Sequence, residues 1–161
     1  MRRRWIVAFA LAVVAAIVAP LAVWALVNSG AYNGNVDRQR AKWRSSSLTT
    51  SSIGWANVPV LSVNICAINE VSATLSVNVT GGRVRFRVVG EQGNVIKPGI
   101  VEFAPTGGAV DSFSYTFVTS VGTFEADDRH TLRVQWRSVS GASVTLRRAD
   151  LNVLYERGSL C

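Results

Sequence analysis

From residue 58 onward, apolar and polar residues alternate with a period of two along several short segments. This pattern is typical of β-strands with one buried face, because successive side chains of a strand point to opposite sides of the sheet. The clearest segments cover residues 71–80, 83–88, 100–103, 109–119, 130–137 and 143–155. Gly, Asn and Pro separate them, so the pattern predicts one all-β domain, an antiparallel β-sandwich over residues 58–161.

Two details of pairing follow from the same pattern. A two-residue loop at Gly81-Gly82 predicts a β-hairpin in which Val77 faces Phe86 and Val79 faces Val84, with no like charges opposite each other. In the last segment the apolar positions change from even to odd numbers. This change predicts a bulge or a strand break near residues 147–150.

The N-terminal segment has no charged residue from Trp5 to Val27 and is long enough to span a bilayer. Trp5 and Trp24 are separated by about 28 Å of helix, which places both indoles at the two membrane interfaces. We therefore predict a transmembrane signal anchor at residues 1–27, with a cleaved signal peptide as the alternative. Three arginines precede the segment, which favours an N-terminus in the cytoplasm. We therefore expect a single-pass membrane protein with its C-terminal domain outside the cytoplasm. If the segment is a cleaved signal peptide, the protein is secreted instead.

Residues 28–57 are rich in Ser, Thr, Asn and Gly and predict a stalk between the anchor and the domain, with a short helix around residues 37–43. The charge balance adds little to the choice of partner. Removing the three N-terminal arginines from the 17 basic residues leaves 14, against 10 acidic residues, a net charge of +4. No nucleic-acid-binding motif accompanies this modest charge, so nucleic acid is not an expected partner.

Arginines alternate along two of the predicted strands. One row contains Arg83, Arg85 and Arg87, and the other contains Arg133, Gln135 and Arg137, behind which Leu132, Val134 and Trp136 are expected to fill the core. Guanidinium groups on a rigid sheet suit the sulfate, carboxylate or phosphate groups of a polymer, so we predict these six residues as a ligand-binding surface. A solvated sheet face and a subunit interface remain as the other interpretations.

Catalytic and metal chemistry find little support. His130 is the only histidine, and no nucleophile motif accompanies it, so we expect no enzyme; a small hydrolase ranks third among the functions. No cofactor is expected and no zinc motif is present, while Glu125, Asp127 and Asp128 offer a weak calcium alternative. Cys66 and Cys161 are candidates for a disulfide, with an intermolecular bond or two free thiols as alternatives.

The segments HTLRVQWRSVSGASVTLRRADLNVLY and KPGIVEF resemble bacterial and phage surface domains of the C1q/TNF-like jelly-roll type. This resemblance implies a jelly roll that often forms homotrimers and presents loops to a glycan or a surface protein. The first hypothesis is therefore a membrane-anchored extracytoplasmic module for binding or adhesion. The alternative is a structural subunit of a surface assembly, either a trimer or a filament.

Overall fold

The computed structural model describes residues 37–106, 108–119 and 129–157, and these residues form eight β-strands and no helix. The strands are β1 (Asp37–Arg44), β2 (Leu48–Thr50), β3 (Ala56–Gly81), β4 (Val84–Val89), β5 (Val101–Phe103), β6 (Asp111–Val118), β7 (Arg129–Ser138) and β8 (Val144–Arg157). The predicted all-β fold is confirmed.

The strands form two antiparallel sheets that share β3. The first half of β3 pairs with β7, which pairs with β4, which pairs with β5; we call this the arginine sheet. The second half of β3 lies between β6 and β8, and β8 pairs in turn with β1 and β2; we call this the hydroxyl sheet. Every pairing is antiparallel, as the sequence pattern predicts.

A bulge interrupts β3 early in its course. The register against β7 shifts between Asn57 and Ser62, and Val60 has a φ of 74° in the left-handed region. Pro59 lies inside this irregular stretch, where its lack of an N–H group costs no ladder hydrogen bond. The bulge lets Val58 and Leu61 both be buried although their numbers differ in parity.

The core lies between the sheets and is built from the alternating apolar positions. Trp136, Phe86 and Phe117 are its largest buried side chains. The ring of Phe86 stacks on Trp136 with centroids 6.3 Å apart, and Phe103 of the arginine sheet stacks on Phe113 of the hydroxyl sheet at 4.3 Å. Aromatic packing therefore joins the two sheets at their β5 and β6 sides.

The predicted hairpin at Gly81-Gly82 is wrong. β3 and β4 do not pair with each other; β4 lies between β5 and β7, in the other sheet from the end of β3. The chain passes from one sheet to the other at Gly81, whose φ is 99°. A Cβ at this position would lie 2.4 Å from the carbonyl oxygen of Ser143, so a side chain does not fit. The alternation predicted the buried side of both strands correctly but could not determine their neighbours, because both arrangements bury the same residues.

The predicted irregularity in the last strand is confirmed. Asn78 pairs with Arg148 and Val79 with Leu146, so Arg147 has no residue opposite it. This single extra residue moves the buried positions from Leu146 to Ala149 and accounts for the change of parity in the sequence.

The predicted stalk is wrong from residue 37 onward. Residues 37–44 form β1 rather than a helix, and β1 and β2 both pair with β8, so the sheets begin before the predicted boundary at residue 58. Pairing with a long, already buried strand outweighs the local preference of a polar segment. The predicted anchor at residues 1–27 lies outside the described residues. Within the described part of the chain, no helix has the length and hydropathy of a membrane span.

Candidate anion-binding surface

The structure brings the two arginine rows together on one face. β4 and β7 are neighbours, with Arg85 opposite Arg137, Arg87 opposite Gln135 and Val89 opposite Arg133. The residues between them in sequence are buried on the other side of the sheet. The six predicted residues therefore form a single surface, which we call the arginine face: Arg83, Arg85, Arg87, Arg133, Gln135 and Arg137.

Like charges meet on this face. Arg85 and Arg137 are directly opposite residues of an antiparallel pair, a position in which Cβ atoms are about 4.5–5.5 Å apart and equal charges are destabilising. The expectation that no like charges stand opposite each other is wrong here, because it depended on the hairpin register. The repulsion is a local cost, which an ion pair between Arg85 and Glu102 partly offsets.

One carboxylate neutralises part of the face. Arg85 donates from Nε to Oε2 of Glu102 at 2.7 Å, and Arg83 also forms an ion pair with Glu102. The hydrogen bond from Arg85 is the main reason that the pKa of Glu102 lies below its usual value. Among the described residues these are the only ion pairs on the face, so Glu102 pairs with two of its five arginines.

Trp55 lies against two of the arginines. The guanidinium carbons of Arg87 and Arg137 are 4.2 and 4.9 Å from the centroid of its ring, within the range of cation–π attraction. Arg137 also donates from Nη1 to the carbonyl oxygen of Ile53 at 3.1 Å. Burial, followed by the charge of Arg137, lowers the pKa of Arg87. The two cations are thus fixed close together in a partly dehydrated site, where both would favour an anion.

Gln135 positions its neighbours. Its amide oxygen accepts a hydrogen bond from Nε of Arg87 at 2.9 Å, and its amide nitrogen donates to Oδ1 of Asn57 at 2.9 Å. These bonds hold the Arg87 side chain along the sheet surface. Arg133 is held at the other end, where it donates from Nη2 to the carbonyl oxygen of Glu91 at 3.2 Å. Fixed arginines lose less side-chain entropy when a ligand binds.

The other predicted site residues are less informative. His130 is the second residue of β7, opposite Ile65, and its lack of a catalytic role stays a prediction. Glu125, Asp127 and Asp128 lie outside the described residues, and no group of three His, Cys, Asp or Glu side chains suited to a metal occurs in the described ranges.

Cys66 ends the pairing of β3 with β7, opposite Arg129. None of the described cysteines is free. Its predicted partner Cys161 lies outside the described residues, so the bond between these two residues stays a prediction.

Comparisons with known proteins give weak similarities only. No family model matches the chain, and no curated protein matches it. A structure of the infectious bursal disease virus VP2 subviral particle aligns at 12% identity with a TM-score of 0.46, over 77% of this chain and 34% of the viral chain. A structure of Bacillus endospore appendages, described as disulfide-linked pili, aligns at 15% identity and a TM-score of 0.44, over 80% and 95% of the two chains.

A third structure, dimeric latent PorU from Porphyromonas gingivalis, aligns at 12% identity with a TM-score of 0.45, over 79% of this chain and 13% of PorU. The chain thus spans about a third of the viral protein and a small part of PorU. At these identities and TM-scores the similarities assign no function. The C1q/TNF-like family predicted from the sequence is not shown by a family model and stays a prediction.

Proposed function

We propose that this chain is a binding module whose arginine face holds the sulfate, carboxylate or phosphate groups of an anionic polymer. The observation that carries the proposal is the register of β4 and β7, which sets Arg85 opposite Arg137. Two unlinked segments of sequence contribute cations to one rigid surface, and one paired carboxylate leaves most of their charge available. Arginine on a sheet offers flat, forked donors that match such groups.

We further propose that the module is displayed outside the cytoplasm by a membrane anchor at residues 1–27. The uncharged apolar segment and the arginines before it support this placement. An extracytoplasmic location would present the arginine face to glycans and other polymers of a cell surface. Binding, rather than catalysis, is the role we assign to the domain.

A structural subunit is the second candidate, and the edge strand β6 favours it. Among the described residues, β6 pairs with β3 on one side only, apart from an isolated bridge between Val118 and Lys97. Its sequence DSFSYTFV carries a single charge, at Asp111. An edge of this length with one charge at its first residue is open to pairing with another strand. A jelly-roll trimer of C1q/TNF type, or a filament, would use such contacts between copies.

Retention of residues 36–161 on a column of sulfated polysaccharide tests the proposal. We expect the unmodified domain to be retained at low salt, and Arg133→Ala with Arg137→Ala to elute at clearly lower salt while thermal unfolding shows a folded domain. Arg147→Ala is the matched control, because it removes an exposed arginine from the hydroxyl sheet. An unmodified domain that flows through at low salt would reject the proposal, as would an equal shift for the control.

Light scattering on the same samples addresses the second candidate. A monomer that is retained supports a binding module alone. A trimer or a larger species whose retention is insensitive to Arg133 and Arg137 supports the structural subunit instead.

A further inference from the structure

A cleft of about 630 Å³ opens beside the start of β7, away from the centre of the arginine face. Its lining includes Arg38 and Arg40 from β1, Arg129 and Thr131 from β7, Asn64 from β3 and Tyr155 from β8. The volume lies within the usual range of small-molecule sites. Three arginines from two different sheets therefore share one concave site.

The register of β1 explains how two of these arginines reach the cleft. Arg38 is opposite Tyr155 and Arg40 is opposite Val153, and both partners are buried. Directly opposite residues of an antiparallel pair point to the same side of the sheet. Arg38 and Arg40 thus lie on the core side of the hydroxyl sheet, at its edge, where the side chains extend past the apolar core.

Arg129 reaches the cleft from the other sheet. It precedes the alternation of β7, in which Leu132, Val134 and Trp136 are buried, and so shares the outward side with Arg133 and Arg137. Residues four apart on a strand are about 13 Å apart. Arg129, Arg133 and Arg137 consequently form a row that leads from the arginine face to the cleft.

The charges of Arg38, Arg40 and Arg129, the three arginines of the cleft, are not neutralised by ion pairs within the described part of the chain. Among the described residues, none of them forms an ion pair, and Glu91 is the one acidic residue in the described lining of the cleft. Inward-facing charges on an edge strand can protect that edge from aggregation, which accounts for Arg38 and Arg40 alone. Edge protection gives no reason for Arg129, on a different sheet, to face the same space.

We propose that this cleft is a second anion site, in which Arg38, Arg40 and Arg129 hold a compact phosphate, sulfate or carboxylate group. The group belongs either to a free small molecule or to the end of the polymer proposed for the arginine face. Asn64, Thr131 and Tyr155 also line the cleft. Thr131 donates to Oδ1 of Asn64 at 3.0 Å, and this bond turns the amide nitrogen of Asn64 into a donor that suits the hydroxyls of the attached carrier. The site does not depend on polymer binding by the arginine face.

Calorimetric titration of the full chain in detergent with inorganic phosphate, at constant ionic strength, tests the site. Loss of one charge-assisted contact corresponds to about tenfold weaker binding or more, so we expect this loss for Arg40→Ala and for Arg129→Ala. Lys42→Ala is the matched control on β1, since Lys42 is the next residue on the same side of the strand but does not line the cleft. Its affinity should stay within about twofold.

The outcomes separate this site from the proposed function. The proposed anion site would be rejected if the unmodified chain did not bind phosphate, or if Lys42→Ala lost as much phosphate affinity as Arg40→Ala. Neither result would affect retention on the polysaccharide column. Binding that depends on Arg129 but not on Arg133 supports an independent site for a free anion. If a sulfated disaccharide binds more tightly than phosphate and its binding needs both Arg129 and Arg133, the cleft binds the end of the polymer.

Discussion

The outer faces of the two sheets carry the same alternation of polar side chains but satisfy them in different ways. On the hydroxyl sheet the polar groups pair with one another across strands, as in Thr74 with Thr116 and Ser76 with Ser114, each at 3.0 Å. Ser112 donates to Asn78 in the same manner. On the arginine sheet the cations outnumber the carboxylate that they share. The hydroxyl and amide groups named on the first face bond to each other, whereas the second face has three arginines without an ion pair among the described residues.

This difference shows where to look for function on a sheet that is polar on one side. Neutral side chains that bond to each other contribute to stability and leave few donors for a partner. Arg87, Arg133 and Arg137 have no carboxylate partner among the described residues. Unbalanced charge, rather than polarity, is therefore the feature that distinguishes the arginine face.

The largest expected effect comes from removing the support behind the arginine face. Trp136 is 2% exposed and stacks on Phe86, so Trp136→Ala should lower the free energy of unfolding by about 3–5 kcal/mol through the cavity that it leaves. Chemical denaturation measures the loss. Arg147→Ala should change the free energy by less than about 0.5 kcal/mol. A loss below about 1 kcal/mol for Trp136→Ala would contradict the assigned packing.

A smaller effect is expected from Glu102→Gln, which should make the two faces differ more. The pKa of Glu102 is lowered from 4.5, chiefly by the hydrogen bond from Arg85. A carboxyl group with a depressed pKa in the folded state contributes stability above its unfolded pKa, and this contribution disappears as the pH falls through the folded value. The melting temperatures of the unmodified and Glu102→Gln domains should therefore converge as the pH falls below 4.5.

The same variant should bind polymer more strongly at neutral pH, because a negative charge has left the arginine face. We expect Glu102→Gln to elute from sulfated polysaccharide at higher salt than the unmodified domain. Earlier elution would show that Glu102 contacts the ligand or orders Arg83 and Arg85 for it, contrary to our assignment of Glu102 as a competing anion.

The smallest effect is expected on the hydroxyl sheet. Replacing both Thr74 and Thr116 by Val removes a donor and its acceptor together, so neither is left unsatisfied, and such a change is close to neutral. We expect a change of less than about 1 kcal/mol in unfolding free energy and no change in retention on the polysaccharide. Weaker retention of this double variant would show that the binding surface lies on the hydroxyl sheet and not on the arginine sheet.

Much of the fold could be predicted from the sequence because burial is a local signal along a strand. The alternation around Leu132, Val134 and Trp136 identified the core side and the strand, and the change of parity near Arg147 identified the bulge. The same signal contains no information about which strands are neighbours. For that reason the hairpin at Gly81-Gly82 was wrong although the buried side of both of its strands was right.

The candidate site was predictable to the same extent. The arginine rows follow from the alternation, but their meeting on adjacent strands depends on pairing between distant segments. Trp55 was missed because it lies in a polar segment without periodicity, where its only signal is that it is an aromatic residue among Ser and Gly. Arg38 and Arg40 were missed as site residues because the segment around them was predicted to be a stalk.

The passage of β3 through both sheets has a consequence for how the chain folds. β3 is synthesised early, yet two of its three partner strands, β7 and β8, come much later in the chain: Ala56 pairs with Trp136 and Ala67 pairs with Arg157. Contacts so distant in sequence slow folding, because loops must close before any pairing is rewarded. At about 5–20 residues per second of synthesis, β7 and β8 become available only several seconds after β3, and until then the apolar side chains of β3 lack these partners. Premature pairing between nascent chains is thus the main hazard that this topology creates.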